Sequence, residues 1–273
     1  MIQSPKSVCM AVRRKDGSIT LDRVPASTFS QKHRWARLPI VRGVVNLCVQ
    51  LGVGYRMLMK SADYIAADEG EATEEGLGMM GTLAMVFAVA FSVGLFILLP
   101  NLLSSLLFKN AGLWKNLLEG CLRILIFVGY LVACSLMKDM RRVFMYHGAE
   151  HRVLHCYEHE KEATPENSRL YRVTHPRCGT SYLFLVMMVS IAVYTLIGRS
   201  ESIWLGMLIR VLSLPLVAGL AYELLRFAAR SQAWWANALR APGLLLQRLT
   251  TRIPTDDMIE VAAAAYRAAM EDV

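Results

Sequence analysis

Long apolar stretches alternate with short polar ones along this chain, and their spacing predicts four membrane-spanning helices. A helix needs about 20 consecutive apolar residues to cross the hydrocarbon core of a bilayer. No charged residue occurs from Gly76 to Phe108, which predicts a first span at 79–99 that ends at Pro100. Three further apolar stretches predict spans at 117–137, 178–198 and 202–222.

The segment between the second and third predicted spans is rich in lysine and arginine. Residues 138–177 contain eight of them, whereas the loops on the opposite side, together with Arg123, contain four. Basic residues accumulate in cytoplasmic loops, so this segment and both chain termini are expected in the cytoplasm. The first 20 residues contain no apolar core of a secretory signal peptide, which agrees with that orientation.

The parts of the chain outside the spans are expected to form a hairpin and helices at the membrane surface. Asp16 and Gly17 separate two β-prone runs, which is typical of a hairpin turn. Residues 40–65 have the pattern of an amphipathic helix in the membrane interface, with a re-entrant or fifth spanning element as the alternative. The tail is basic and contains tryptophan, which suits a surface helix, and residues 258–270 are expected to form a final helix.

Together these patterns predict a mainly α, multi-pass helical membrane protein with about four transmembrane helices, a small N-terminal β-hairpin and a cytoplasmic helical His-rich domain. The expected segments are a β-hairpin segment (1–30), an amphipathic interfacial helix with a linker (31–75), transmembrane helices 1 and 2 (79–137), a cytoplasmic His/Glu/Cys loop (138–177), transmembrane helices 3 and 4 (178–222) and cytoplasmic C-terminal helices (223–273).

The composition narrows the class of protein further. Only 19% of the residues are charged, against about 25% in soluble domains, which is too few to cover a soluble globule. A hydrophobic share of 55% excludes intrinsic disorder, and six cysteines without a CxxC pair exclude a disulfide-rich scaffold. The 30 Lys and Arg against 22 Asp and Glu give a net charge of +8. The basic cytoplasmic loop explains that charge, so the expected partner is the lipid bilayer and not nucleic acid.

Candidate chemistry is concentrated in one loop, since five of the six histidines fall within 138–180. A step of four residues turns a helix by only about 40°, so residues spaced by four share a face and two of them can clamp one metal ion. Over a row of four such residues the drift reaches about 120°, so a whole row cannot serve a single ion. Four histidines have this spacing: His147, His151, His155 and His159.

The first pair belongs to the motif His147-Gly-Ala-Glu150-His151, which has the order H-x-x-E-H. In zinc enzymes of this order the two histidines bind the ion and the adjacent glutamate is the general base. We therefore predict that His147 and His151 bind a divalent metal, with Zn²⁺ as the first choice, and that Glu150 is the base. Histidines that contact lipid headgroups are the plain alternative.

A catalytic zinc site needs a third protein ligand and one open position. The candidates for the third ligand are Glu166, His175 and Cys178. If His175 and Cys178 both joined the histidine pair, the site would be closed and structural. Arg177 is a candidate contact for an oxyanion or a phosphate group of a substrate.

Two arginines fall within or near the predicted hydrocarbon region, where a charge is costly and often functional. Arg123 has Glu119 close by and is expected to reach the outer interface. For Arg210, reaching an interface and a functional position inside the membrane stand as equal alternatives.

The longest motifs resemble a known family. The run from Tyr146 to Glu158 (YHGAEHRVLHCYE), the tripeptide at 165–167 and the run from His175 to Ser181 (HPRCGTS) are similar to the YqhQ-type bacterial membrane proteins. The similarity extends nearly end to end, including the tail at 256–261. The resemblance implies a protein of the bacterial cytoplasmic membrane and a metal-dependent enzyme, but it supplies no substrate.

Three functions are consistent with these features. The leading one is metal-assisted hydrolysis of a peptide or lipid-derived substrate at the cytoplasmic membrane face, where membrane proteins are possible substrates. The second is a non-catalytic scaffold or biogenesis factor whose closed metal site staples the loop to the spans. The third is a transporter in which Arg210 and the histidine row line a path.

Overall fold

The structure is a computed structural model that describes residues 1–4, 6–26, 29, 33–70, 74–107, 113–176, 178–198, 202–231 and 233–271. An antiparallel sheet opens the chain with the strands β1 (Ile2–Gln3), β2 (Ser7–Arg13) and β3 (Ile19–Pro25), in that spatial order. A 3₁₀ turn at Arg34–Arg37 follows. The helices are α1 (Val41–Glu69), α2 (Glu74–Val93), α3 (Leu99–Leu107), α4 (Leu113–Leu136), α5 (Lys138–Glu158), α6 (Pro165–Arg169), α7 (Thr180–Ile197), α8 (Ile203–Leu212), α9 (Leu214–Ala229), α10 (Trp234–Thr250) and α11 (Asp256–Met270).

The mainly helical class and the N-terminal hairpin are both confirmed. Gly17 has φ +86° in the turn between β2 and β3, a conformation that favours glycine. Strand β1 pairs with β2 and adds a third strand that the alternation of residues did not predict. The predicted final helix is present as α11, which begins at Asp256, two residues earlier than predicted.

Three continuous helices within the described chain are long and apolar enough to cross a membrane. They are Gly81–Leu107, Asn116–Leu136 and Thr180–Ile197. The fourth predicted span consists of α8 and α9, which bend by 43° relative to each other next to Pro215. Proline lacks an N–H and cannot continue a helical hydrogen-bond ladder, which explains the break there. These helices are consistent with a membrane protein, and α1 is not among them.

The sequence predicted that the first span ends at Pro100, but the helix continues beyond that residue. A π-helical segment, Gly94–Leu98, joins α2 to α3, and the helix continues to Leu107. A π turn shifts the hydrogen-bond register by one residue, and the proline then stands in the first turn after the shift, where its missing N–H costs little. Local adjustment of the backbone therefore extends this helix beyond the residue that was expected to stop it.

A buried ion cluster crosslinks the apolar helices. Glu119 of α4 accepts hydrogen bonds from Arg123 Nη2 at 2.9 Å and from Arg210 Nε and Nη2 at 2.7 and 2.6 Å. The ring of Tyr194 lies against both guanidinium groups. The two arginines are only 4% and 3% exposed, so the expectation that Arg123 reaches an interface is wrong. A carboxylate partner inside the bundle makes burial of both charges tolerable.

The remaining elements form a small unit at one end of these helices. Helix α11 packs between the sheet and α5, and its Ile259 and Ala263 are fully buried against Ala149 and Val153. Helix α1 covers the other side of the sheet through Met57. The unit is fastened to α9 where Nε of the Arg42 guanidinium donates to Glu223 Oε1 at 2.6 Å.

We predict that the variant Glu119→Gln loses about 3–5 kcal/mol of stability, because it leaves two buried guanidinium groups without their carboxylate. The exposed carboxylate of Glu260, which pairs with Arg13 at 2.7 Å, provides the matched control. Glu260→Gln should cost at most about 1 kcal/mol. Thermal unfolding of both variants in the same detergent measures the difference, and equal losses would contradict the structural role of the cluster.

Candidate metal centre

Helix α5 carries the histidine row, and the drift predicted for that row is observed. The rings of His147 and His151 lie 4.4 Å apart, between centroids. His159, at the far end, has left the shared face: its Nδ1 bonds to the carbonyl oxygen of His155 and its side chain stands at the exposed helix end. The four histidines therefore do not all face the same neighbours, because the row drifts around the helix.

The first group of metal-ligand atoms consists of His147, His151 and Cys178, which we call the cysteine site. One atom from each residue lies within 4.8 Å of those of the other two. The His147 Nε2 atom is 3.2 Å from the sulfur of Cys178. Cys178 comes just before α7, so a residue at the start of one apolar helix meets two residues of α5.

Backbone carbonyls fix the tautomers of both histidines in the cysteine site. His147 Nδ1 lies 2.9 Å from the carbonyl oxygen of Thr250, and His151 Nδ1 lies 2.5 Å from that of Val173. A carbonyl oxygen only accepts hydrogen bonds, so each Nδ1 carries a proton. The Nε2 atom of each ring is left to donate a hydrogen bond when the imidazole is protonated, or to offer a lone pair to a metal ion when it is neutral. An outer hydrogen bond of this kind is the usual companion of an imidazole that binds a metal.

The two histidines also change the acidity of Cys178. Burial raises the pKa of a thiol, but hydrogen bonds from His147, His151 and Thr180 together outweigh burial and lower the pKa of Cys178 to about 5. Burial lowers the pKa of His147, but its contact with the thiolate has the larger combined effect and the pKa is raised. The sulfur is therefore a thiolate at neutral pH, which is the form that binds metals.

A second group, the glutamate site, consists of His155, Glu158 and His175. Their ligand atoms also lie within 4.8 Å of one another. His175 Nε2 is 3.2 Å from Glu158 Oε1, and the side chain of His175 is buried. Burial lowers the pKa of His175, with an additional contribution from His155, although Glu158 opposes it. His175 therefore belongs to the glutamate site and not to the cysteine site.

Helix α10 holds the loop that carries His175 and Cys178. The side chain of Gln247, which is fully buried, accepts from the backbone N–H of His175 at 2.7 Å and donates to its carbonyl oxygen at 2.9 Å. The chain after α10 also packs tightly on α5, where the N–H of Arg252 donates to the carbonyl oxygen of Phe144 at 2.9 Å. A Cβ atom on Gly148 would overlap the carbonyl oxygen of Arg252, which explains the glycine inside the histidine motif.

The remaining predicted site residues lie elsewhere. Glu166 is exposed on α6 and belongs to neither group. The carboxylate of Glu150 pairs with the amino group of Met1 and lines a cavity of about 880 Å³. It is not among the grouped ligand atoms, although its charge contributes to the raised pKa of His147. Arg177 lies outside the described residues.

We did not predict that Glu158 and His155 would join His175, or that Gln247 would hold the loop. The sequence signal for the second group was the position of Glu158 three residues after His155, because residues with this spacing share a helix face.

We predict that Gly148→Ala destabilises the protein by about 1–3 kcal/mol, because a backbone carbonyl must move to admit the methyl group. Gly52 of α1 is a matched control, since nothing lies within 4 Å of a Cβ placed there. Gly52→Ala should be neutral or stabilising, as is usual inside a helix. Thermal unfolding tests both variants, and a Gly148→Ala protein as stable as the control would contradict this packing.

We predict that Cys178 of the metal-free protein reacts with iodoacetamide almost as fast at pH 6 as at pH 8, because a thiol with a pKa of about 5 is already ionised at both values. An ordinary thiol loses roughly tenfold in rate for each pH unit below its pKa. Mass spectrometry of the peptide that contains Cys178 measures the rate. The urea-unfolded chain should show the steep dependence, and the His147→Ala variant should lie between it and the folded native chain, because His151 and Thr180 still contact the sulfur. A steep dependence in the folded native chain would contradict the thiolate assignment.

Comparisons with known proteins agree with the motifs. A family model described as a protein of unknown function (DUF1385) matches residues 38–272, which include every residue of both sites. The chain is similar to the uncharacterized protein YqhQ of Bacillus subtilis (strain 168), with 31% identity over 269 residues that cover 94% of this chain and 84% of the Bacillus protein. No solved structure matches the chain. The chain therefore belongs to the DUF1385 family of YqhQ-type proteins, as its histidine motifs indicated.

Proposed function

We propose that this protein is a metal-dependent hydrolase of the bacterial cytoplasmic membrane, with a divalent ion, most simply Zn²⁺, held by His147, His151 and Cys178. The observation that carries the proposal is the convergence of two imidazoles and one cysteine sulfur, whose ligand atoms lie within 4.8 Å of one another. Carbonyl partners fix both Nδ1 protons on the far side of the rings. Three electron-rich atoms that face each other repel unless a cation or a proton lies between them.

The number of protein donors favours catalysis over a purely structural site. Three donors leave one position of a tetrahedral ion open, whereas structural zinc sites are closed by four. His175, which could have closed the site, pairs with Glu158 instead. When bound, the ion supplies Lewis acidity, which activates water and polarises a carbonyl or phosphoryl group.

Residues of the chain orient the metal ligands and keep the cysteine ligand ionised. The carbonyl groups of Thr250 and Val173 orient the two imidazoles, and the low pKa of Cys178 keeps it ionised without a separate base. The carboxylate of Glu150 pairs with the amino group of Met1, and its role as general base stays a prediction. The site lies where α5 meets the start of α7, which suits a peptide or lipid-derived substrate that reaches the protein along the membrane surface.

The orientation that we propose places this end of the bundle, with both termini, in the cytoplasm. The basic residues of 138–177 favour that side. Cytosolic thiols stay reduced, and the described cysteines are all free, so Cys178 can act as a metal ligand there.

A cysteine nucleophile is a second candidate function, because the contact of His147 with Cys178 is also the arrangement of a thiolate–imidazole pair. The second imidazole on the same sulfur favours the metal site, since a nucleophile needs only one base. The transporter hypothesis has less support: Arg210 donates to Glu119 and to the carbonyl oxygen of Gly206 inside a closed cluster.

We predict that Zn²⁺ co-purifies with the native protein and that His151→Ala and Cys178→Ala each lose the ion of the cysteine site. His159→Ala is the matched control, because this histidine lies on the same helix but outside both groups. Elemental analysis of protein purified in detergent measures the content. Absence of any bound zinc, with Cys178 still rapidly alkylated, would favour the cysteine nucleophile.

Replacing the ion by Co²⁺ separates an open site from a closed one. In an open site, a small ligand such as acetohydroxamate should enter the fourth position and change the visible spectrum of the cobalt protein. An unchanged spectrum at saturating ligand would instead support a closed metal site with a structural role.

A further inference from the structure

A second set of metal-ligand atoms adjoins the cysteine site and takes no part in it. The glutamate site brings two imidazoles and one carboxylate within 4.8 Å of one another. The rings of His155 and His175 lie 4.6 Å apart, and the Glu158 carboxylate is 3.2 Å from His175. A hydrogen bond between Glu158 and His175 accounts for two of these groups but not for the third, His155.

A backbone carbonyl group fixes the tautomer of His155, as it does for the two histidines of the cysteine site. Its Nε2 lies 3.0 Å from the carbonyl oxygen of Thr174, so Nε2 carries the proton and Nδ1 keeps the lone pair. Val173, the residue before Thr174, orients His151 in the cysteine site. One short stretch of backbone thus orients a histidine in each group.

The donor set matches a divalent cation. Two histidines and one carboxylate bind zinc in several catalytic sites and iron in others. The carboxylate supplies the negative charge that neutral imidazoles lack, and the 2% exposure of His175 shelters one side of the position from water. The set contains no sulfur, so it is harder than the cysteine site and accepts Mn²⁺ as well as Zn²⁺.

The two groups are close neighbours. The ring of His151 in the cysteine site lies 5.8 Å from the ring of His175 in the glutamate site. His151 and His155 are also one turn apart on α5. The division of the histidine row between two groups therefore places two potential ion positions side by side.

We infer that His155, Glu158 and His175 bind a second divalent cation, so that the protein carries two neighbouring ion sites. This inference deepens the proposed function and rests on it for the first ion only. Two adjacent ions can together hold the attacking and the leaving oxygen in the hydrolysis of an ester or a phosphoester, so the second site extends the substrate class to phosphoesters.

The test counts metal bound to the purified full-length protein in detergent after removal of metal with a chelator, reloading with Zn²⁺ and desalting. Wild type and the His159→Ala control should each retain two equivalents. His155→Ala, Glu158→Gln and Cys178→Ala should each retain one. Glu158→Gln is the decisive variant, because Glu158 lies at the end of α5 and the substitution conserves its size.

Loading with Mn²⁺ adds a readout that a folding defect would not imitate. Two Mn²⁺ ions in neighbouring sites should be magnetically coupled, which electron paramagnetic resonance detects. Glu158→Gln should convert the coupled spectrum to that of an isolated Mn²⁺ ion. The loss of both equivalents in Glu158→Gln, with a normal gel-filtration profile, would contradict separate sites.

The outcomes distinguish this inference from the proposed function. One equivalent in wild type, retained by Glu158→Gln and lost by Cys178→Ala, would overturn the second site and leave the proposed function standing. One equivalent with the reverse dependence would uphold the glutamate site and overturn the assignment of the cysteine site. A wild-type protein that binds no Zn²⁺ or Mn²⁺ would overturn both.

Discussion

Two hydrogen bonds between the side chain of Gln247 and the backbone of His175 hold the candidate centre together. They fix the loop between α6 and α7 against α10, and that loop supplies Cys178, His175 and two of the carbonyl groups that orient imidazoles. The end of α10 supplies the third carbonyl, at Thr250. Because a buried amide that loses its partners is costly, the loop cannot leave α10 without a penalty, and the ligand atoms stay in place.

The ion cluster inside the apolar helices gives this site a rigid base. Glu119 joins α4 to α8, and Arg123 extends the cluster to Ser190 of α7 at 2.5 Å. The helices crosslinked in this way include α7, which begins two residues after Cys178, and α4, which leads into α5 after a single residue. A network of charges in a low-dielectric bundle is strong when complete and costly when incomplete, so it favours one arrangement of these helices.

Much of the fold could be predicted from residue patterns, because long apolar runs and turn residues act locally. The apolar stretches predicted helices that are long enough to cross a membrane, and Asp16 with Gly17 predicted the hairpin. The predictions that failed depended on contacts between distant segments. Pro100 was expected to end a helix, which instead continues through a π turn, and Arg123 was expected at an interface but lies beside Glu119 and Arg210 inside the bundle.

The sequence by itself determined which helix carries the candidate ligands, since residues spaced like His147, His151 and His155 share a helix face by helical geometry alone. It also limited the number of histidines that can serve one ion, because the drift of the row is a local property. Only the tertiary structure decided the partners. Cys178 and Glu158 are joined to different histidines by the packing of α7 and α10 on α5, and the carbonyl groups that fix the tautomers belong to segments far away in the chain. Spacing along a chain specifies a face, but the atoms opposite that face are set by how the other helices pack.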